Sequence, residues 1–278
     1  MPAFICTACG TQYPPSDAPL GACPSCTDER QFIPASGQSW TTLERLRSAY
    51  SNKFFRLAPG LTTIETTPAF GIAQRAILAC TPAGNVLWDC IALIDDATVD
   101  LIKGMGGVAA IAISHPHYYT TMVEWSRALG DVPIYLHAAD RQWVVRTDPA
   151  VQFWEGDTMP IAPGLTLVRL GGHFDGGTVL HWADWEKGRG VLLSGDILQV
   201  VPSGHVSFMW SYPNLIPLPA ATVRRMAEIL EPFAFDAVYG AFSGRGQIDA
   251  NGKQVVAASV ARYIARISET KSGERQPP

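Results

Sequence analysis

Short apolar runs alternate with glycine and proline along most of the chain, which is typical of strands in a buried sheet. Longer segments with helical spacing of apolar residues lie between the later runs. From residue 53 onward this pattern predicts strands at 61–66, 75–80, 85–90, 108–113, 134–136, 165–170, 178–182, 190–193 and 237–239. It predicts helices at 96–104, 119–129, 220–230 and 254–267.

Both halves of this region begin with strands and finish with helices. Such an order predicts two sheets packed face to face with helices outside them, an αββα sandwich over residues 53–268. Residues 31–52 are expected to form a connector in which Thr41 and Thr42 begin a short helix. The polar tail, 269–278, is expected to be disordered.

The composition is that of a folded globular protein, with 278 residues, 47% hydrophobic and 17% charged. The net charge of −4 and the absence of a dense Lys/Arg run argue against a nucleic-acid partner. No apolar stretch reaches the roughly 18–20 residues of a membrane span, and the first residues do not resemble a secretion signal. We therefore expect no membrane partner and a cytoplasmic location.

Four of the six cysteines form two Cys-x-x-Cys pairs, Cys6 with Cys9 and Cys23 with Cys26. This spacing predicts a four-cysteine zinc-ribbon-like module over residues 1–30, folded by its metal because so short a segment cannot build a core. An iron site or a redox dithiol remains an alternative. The module is also a candidate for homo-oligomer contacts. Cys80 and Cys90 stand alone in strand-like segments, where we expect them to pack as small apolar residues.

A second set of metal-ligand types is spread over three turns. The apolar run 108–113 ends in Ser114-His115-Pro116-His117, two glycines precede His173, and Ser194-Gly195 precedes Asp196. Because each turn follows a strand, the three histidines and the carboxylate can meet at one edge of a sheet. Imidazole nitrogens with one carboxylate oxygen suit zinc.

These turns, together with Asp89 at a strand end, resemble the metallo-β-lactamase superfamily over roughly residues 53–268. The resemblance implies an αββα fold with a metal site at one edge of the sandwich. It leaves the substrate open, because the superfamily includes hydrolases, oxidoreductases and nucleases.

The chain departs from the usual pattern at the second metal site. Tyr119 stands where the family has an aspartate, and Thr120 stands where it has the next histidine. The segment 239–244, where the last histidine is expected, contains none. The resemblance therefore implies one zinc ion, held by His115, His117 and His173, with Asp196 as its neighbouring carboxylate.

One zinc ion on three histidines can generate hydroxide near neutral pH, so hydrolysis through a metal-bound hydroxide is expected to be possible. Asp196 would either ligate the metal or orient the water. Tyr119, with an ordinary pKa of about 10, would assist proton transfer as a donor. Asp89 is expected to fix loop backbone, and His137 either caps the segment after it or replaces a lost ligand.

Aromatic residues on the neighbouring segments suggest the substrate class. Tyr118, Phe174, Trp210 and Phe242 are expected to line a pocket for an apolar or aromatic small molecule. Arg245, between two glycines, is a candidate for binding a substrate carboxylate.

The sequence thus predicts a zinc-dependent hydrolase-like protein that acts on a small ester, lactone, thioester or amide. The competing hypothesis is a non-catalytic metal-binding or sensing protein that retains the fold. An iron-based redox protein is a third.

Overall fold

The computed structural model describes residues 1–245 and 247–268. The predicted disordered tail, 269–278, lies outside the described residues. Within them, no helix has the length and apolar character needed to cross a membrane.

The N-terminal module is a small antiparallel sheet in the order β2-β1-β3. Its strands are β1 (Ala3–Cys6), β2 (Gln12–Pro15) and β3 (Trp40–Thr42). Strand β3 lies in the segment expected to be a connector, yet it pairs with β1, with Phe4 opposite Thr42. The ribbon therefore extends to residue 42. Helix α1 (Leu43–Ala49) follows directly, with the Thr42 side chain accepting a hydrogen bond from the Arg45 amide as its N-cap.

The first large sheet has seven strands in sequence order from β4 to β10. The first three strand pairs are antiparallel, and the last three are parallel. Helices α2 (Asp96–Gly104) and α3 (Met122–Ala128) make the crossovers between parallel strands. The strands are β4 (Ser51–Ala58), β5 (Leu61–Thr67), β6 (Ala76–Ala79), β7 (Val86–Trp88), β8 (Ala110–Ala112), β9 (Ile134–His137) and β10 (Val151–Trp154).

The second large sheet has five strands, β11-β12-β13-β14-β19. Its first four are β11 (Thr158–Ala162), β12 (Leu165–Arg169), β13 (Thr178–Trp182) and β14 (Val191–Gly195), with the single turn α4 (Trp185–Gly188) before β14. Two short hairpins follow, β15 (Gln199–Val200) with β16 (Val206–Ser207) and β17 (Met209–Ser211) with β18 (Ile216–Pro217). Helix α5 (Ala220–Leu230), strand β19 (Ala237–Gly240), which lies parallel to β14, and helix α6 (Gly252–Ser268) complete the fold.

Three apolar layers hold the two sheets and the helices together. Trp88, Leu180 and Leu193 belong to the cluster between the sheets. Trp125 of α3 packs on the outer face of the first sheet, and Met226 of α5 packs on the outer face of the second. The αββα sandwich predicted from the sequence is therefore confirmed, with the metal-ligand turns at one edge.

Candidate metal centre and pocket

The His-Pro-His turn begins where the buried strand β8 ends. His115 has extended backbone, with φ −170° and ψ 173°, and Pro116 then starts one turn of 3-10 helix, Pro116–Tyr118. The amide of Ser114 donates to Oδ1 of Asp89 at 2.7 Å, so Asp89 fixes the start of this turn, as the sequence predicts. Burial raises the pKa of Asp89 to about 8.

Two glycines bring the other turns close to the histidines. Gly172 has φ +90°, and a Cβ at this position would lie 2.8 Å from Cδ1 of Leu218. Gly195 has φ +56°, and its Cβ would lie 2.7 Å from the hydroxyl oxygen of Ser114. Any larger residue would therefore push His173 or Asp196 away from the His-Pro-His turn.

The three histidines meet as a compact group. Their ring centroids lie 5.0 to 5.1 Å apart, and one donor atom from each lies within 4.8 Å of the others. Nδ1 of His117 and Nε2 of His173 are separated by 3.4 Å. Burial lowers the pKa of all three imidazoles, which favours the neutral form that binds a metal.

Hydrogen bonds orient two of the rings toward the centre of the group. Nδ1 of His173 lies 2.7 Å from the carbonyl of Trp210, and Nδ1 of His115 lies 3.0 Å from the Ser114 hydroxyl. Both contacts leave Nε2 available as a ligand, which is the usual arrangement around a protein metal.

The surroundings of Nε2 of His115 and Oδ1 of Asp196, and the distance between them, show whether a metal ion fits here. These atoms lie 3.3 Å apart, both are buried, and neither has a hydrogen-bond partner within residues 1–245 and 247–268. Tetrahedral ligands at about 2.0–2.1 Å from zinc are themselves separated by about 3.4 Å. The donor set therefore fits one metal ion.

Asp196 stands to one side of the histidine group. It is not among the donor atoms that all lie within 4.8 Å of one another. Burial raises the pKa of its carboxyl group, and the charge of a protonated His173 opposes that shift. The hydroxyl of Tyr212 donates to the backbone carbonyl of Asp196 and holds this residue in place.

Tyr118, and not Tyr119, lies beside the metal-ligand group. The ring of Tyr118 is 4.4 Å from that of His115, and burial, reinforced by the charge of Asp196, raises the pKa of its hydroxyl. Tyr119 points into the core under α3, where burial and the charge of Asp140 raise its pKa. The structure does not bring Tyr119 to the histidines, because the 3-10 turn rotates consecutive side chains to different sides.

His137 is held outside the group. Its Nδ1 accepts from the Ala139 amide at 3.1 Å, and its Nε2 lies 3.0 Å from the carbonyl of Gly156. The residue caps the 3-10 segment that follows it, which is one of the two roles predicted from the sequence, and does not replace a lost ligand.

An open cavity of about 580 Å³ lies in front of the metal-ligand group, with His117 and Asp196 in its wall. Phe242 and Arg245 also line it. Tyr118 and Phe174 are buried beneath the site, and Trp210 contributes its carbonyl to His173. The other lining residues are Arg30, Gln31, Phe32, Gly71, Ile72, Ala73, Gln199, Tyr212, Pro213 and Leu215.

Sequence reasoning missed the part of this wall that the ribbon supplies, Arg30 to Phe32. Arg30 follows the second cysteine pair by four residues, and nothing in that spacing indicates a position near the histidines. The contact comes from the docking of the ribbon on the sandwich, a long-range feature without a local signal.

The four cysteines form a second, separate group. All four sulfurs are buried and lie within 4.8 Å of one another. Sγ of Cys6 is 3.6 Å from Sγ of Cys26, and Sγ of Cys9 is 3.7 Å from Sγ of Cys23. Tetrahedral sulfur ligands at about 2.3 Å from zinc are separated by about 3.8 Å, so the group also fits one ion.

Comparison with known proteins supports the fold and identifies a relative. No protein-family profile matches the chain. The uncharacterized protein YmaE of Bacillus subtilis is 45% identical over 271 residues, which are 96% of this chain and 98% of YmaE.

Solved structures with the same fold are metallo-β-lactamases. VMB-1 superposes with a TM-score of 0.58 at 10% identity, over 79% of this chain and 99% of its own. The mono-zinc form of FIM-1 from Pseudomonas aeruginosa gives 0.55 at 14% identity, over 77% and 96%. The chain therefore has the metallo-β-lactamase fold, carries a four-cysteine module at its N-terminus, and belongs to the same protein family as YmaE.

Proposed function

We propose that this protein is a hydrolase that uses one zinc ion, held by His115, His117 and His173, to cleave a small ester, lactone, thioester or amide. A zinc ion on three imidazoles supplies a Lewis acid that activates water near neutral pH. The observation that carries the proposal is the pair of unpartnered buried atoms, Nε2 of His115 and Oδ1 of Asp196, beside an open cavity that Asp196 and His117 line.

Two residues next to the histidines are suited to the proton transfer and charge stabilisation that hydrolysis requires. Asp196 stands beside the histidine group and is suited to orient a water molecule by accepting its proton. The Tyr118 hydroxyl is buried next to Asp196 and is suited to donate a hydrogen bond to the oxygen that gains charge in the reaction. We propose that Tyr118 takes the role that the sequence suggested for Tyr119.

The cavity favours a substrate with an apolar part. Its rim includes Phe32, which is 51% exposed, and Leu215, which is 78% exposed, and Ile72 and Phe242 continue this apolar surface inward. An apolar or aromatic group of the substrate would cover them on binding.

Metal content and turnover test the proposal together. We expect two zinc ions per chain in the wild type and one in the double variant His115→Ala/His117→Ala, which should also lose turnover of p-nitrophenyl acetate, a thioester or a lactone. The control is His205→Ala, because the imidazole of His205 hydrogen-bonds only to Ser203 among the described residues.

A non-catalytic metal-binding protein is the second candidate. It is favoured by the short distance between Asp196 and His115, which would let the carboxylate close the shell as a fourth ligand. Two zinc ions per chain without turnover of any of these substrates would support it. Iron in place of zinc in the elemental analysis would instead favour a redox role.

A further inference from the structure

The ribbon docks on the sandwich at the metal-ligand turns themselves. The Gln12 amide donates to the carbonyl of Thr120, three residues after His117, at 3.1 Å. On the other side, the carbonyl of Glu29 accepts from the Ser211 hydroxyl and from the Asn214 side chain, both at 2.7 Å. The segment after Cys26 is thereby fixed across the mouth of the cavity.

Arg30 is the charged residue that this segment brings to the cavity. Its Nε and Nη2 donate to the two carboxylate oxygens of Asp28, each at 2.7 Å, and its Nη1 donates to the carbonyl of His173 at 3.0 Å. The guanidinium carbon also lies 3.9 Å from the centre of the Phe174 ring. The side chain is therefore held in one conformation and is only 14% exposed.

This arrangement leaves part of the guanidinium able to bind a ligand. A guanidinium has five N–H groups, and three are used by Asp28 and His173. The other two have no acceptor in the part of the chain that the structure describes. Because the side chain is already fixed, binding an anion there costs little conformational entropy.

The charge of the cavity wall also favours an anion. Arg30 and Arg245 line it, and Asp196 is the one carboxylate among its described lining residues. With neutral histidines, Arg245 offsets Asp196 and Asp28 offsets Arg30, so a bound zinc ion would make the site positive. The two remaining N–H groups of Arg30, one on Nη1 and one on Nη2, can donate to a carboxylate.

We propose that Arg30 binds a carboxylate of the substrate, so that the cysteine ribbon is part of the substrate-binding site. This inference rests on the proposed function, since it describes the substrate of the same site. It narrows the substrate to a small acyl compound that carries a carboxylate as well as an apolar group.

Two small thiols form a matched pair of probes. Mercaptoacetate and 2-mercaptoethanol present the same thiolate to zinc, but only the first carries a carboxylate. Their affinities would be measured by calorimetry on the full-length zinc-loaded protein, at thiol concentrations that leave two zinc ions per chain.

We expect Arg30→Gln to weaken mercaptoacetate binding about 10-fold or more and to change 2-mercaptoethanol binding less than about 2-fold, because only the former loses a charge-assisted hydrogen bond. Arg30→Lys, which keeps the charge but loses the fork, should fall between wild type and Arg30→Gln. The control is Arg45→Gln in the exposed face of α1, which should bind both thiols as the wild type does.

Equal weakening of both thiols, or no weakening of either, would overturn the role of Arg30. A wild type that binds neither thiol would overturn the proposed function and this inference with it. If Arg30→Gln loses zinc, Arg30→Lys replaces it as the test variant. A preference for mercaptoacetate in Arg30→Lys equal to that of the wild type would overturn carboxylate binding by the guanidinium of Arg30.

Discussion

Arg30, in the ribbon, donates a hydrogen bond of 3.0 Å to the backbone carbonyl of His173, a candidate metal ligand 143 positions later in the chain. The imidazole of the same histidine is fixed by the carbonyl of Trp210. Hydrogen bonds thus position both the backbone and the ring of His173. The first of them also links the cysteine-containing ribbon to the histidine group.

We therefore expect loss of the cysteine-bound metal to loosen the wall of the cavity. The double variant Cys23→Ser/Cys26→Ser should bind one zinc ion fewer per chain and should show amide hydrogen exchange over residues 24–32 that is at least about 10-fold faster, because the metal supplies most of the folding free energy of so small a module. Cys80→Ser is the control, since Cys80 lies outside the cluster. Unchanged exchange in the double variant would show that docking alone holds the segment.

Tyr118 and Tyr119 form a natural pair for testing proton donation. Tyr118→Phe should lower kcat about 100-fold while leaving two zinc ions bound, because it removes a hydroxyl next to Asp196 without removing a ligand. Tyr119→Phe should change kcat less than about 2-fold, because its ring lies in the core. Steady-state kinetics on both variants, with zinc content as the check, would show the reverse order if Tyr119 were the donor.

Trp125 anchors α3 on the first sheet. It is fully buried, and its Nε1 donates to the carbonyl of Ile91 at 2.8 Å. Trp125→Ala should lower the free energy of unfolding by about 3–5 kcal/mol, measured by urea denaturation. Leu101→Ala on the neighbouring helix α2 should change it by less than about 0.5 kcal/mol, because Leu101 is 53% exposed. Similar losses for the two variants would contradict this account.

Asp140 should make stability depend on pH. Its Oδ1 accepts from the Gly176 amide at 2.9 Å, and burial raises its pKa to about 6. Between about pH 4 and pH 6 the folded state therefore keeps a proton that the unfolded state has lost, so stability falls as pH rises through this range. The loss amounts to about 3 kcal/mol.

The substitution Asp140→Asn removes this titration but keeps an acceptor for Gly176. Relative to wild type, it should gain about 3 kcal/mol of stability from pH 4 to pH 7 in urea denaturation. Asp100→Asn, at an exposed position of α2, is the control for the loss of a carboxylate charge. A difference that does not change with pH for Asp140→Asn would mean that folding leaves the pKa of Asp140 unchanged.

Local patterns were sufficient for most of the sandwich. Helices α2 and α5 have the predicted bounds, because Asp95 caps the first and a proline, Pro219, precedes the second. The helix predicted over 119–129 begins only at Met122, since Pro116 starts a separate 3-10 turn. Strands β4, β10 and β11 were not predicted, because edge strands are half exposed and lack a continuous apolar run.

The sequence likewise indicates some residues of the candidate site and not others. His115, His117, His173 and Asp196 follow strands whose ends meet at one edge, so their order in the sequence indicates a common site. Which tyrosine faces the metal-ligand group depends on the rotation of one 3-10 turn, and the sequence cannot fix that rotation. Arg30 and Phe32 reach the cavity only through the docking of one unit on another, which has no periodic signature.

The carbonyl of Glu29 is bound by Ser211 and Asn214, 182 and 185 positions away in the sequence. During synthesis the ribbon leaves the ribosome first, while the loop that receives Glu29 is among the last parts of the cavity to be made. A chain cut short before residue 211 would contain all four cysteines and all three histidines, yet would lack part of the cavity wall. The wall of the cavity is therefore complete only when nearly the whole chain has been made.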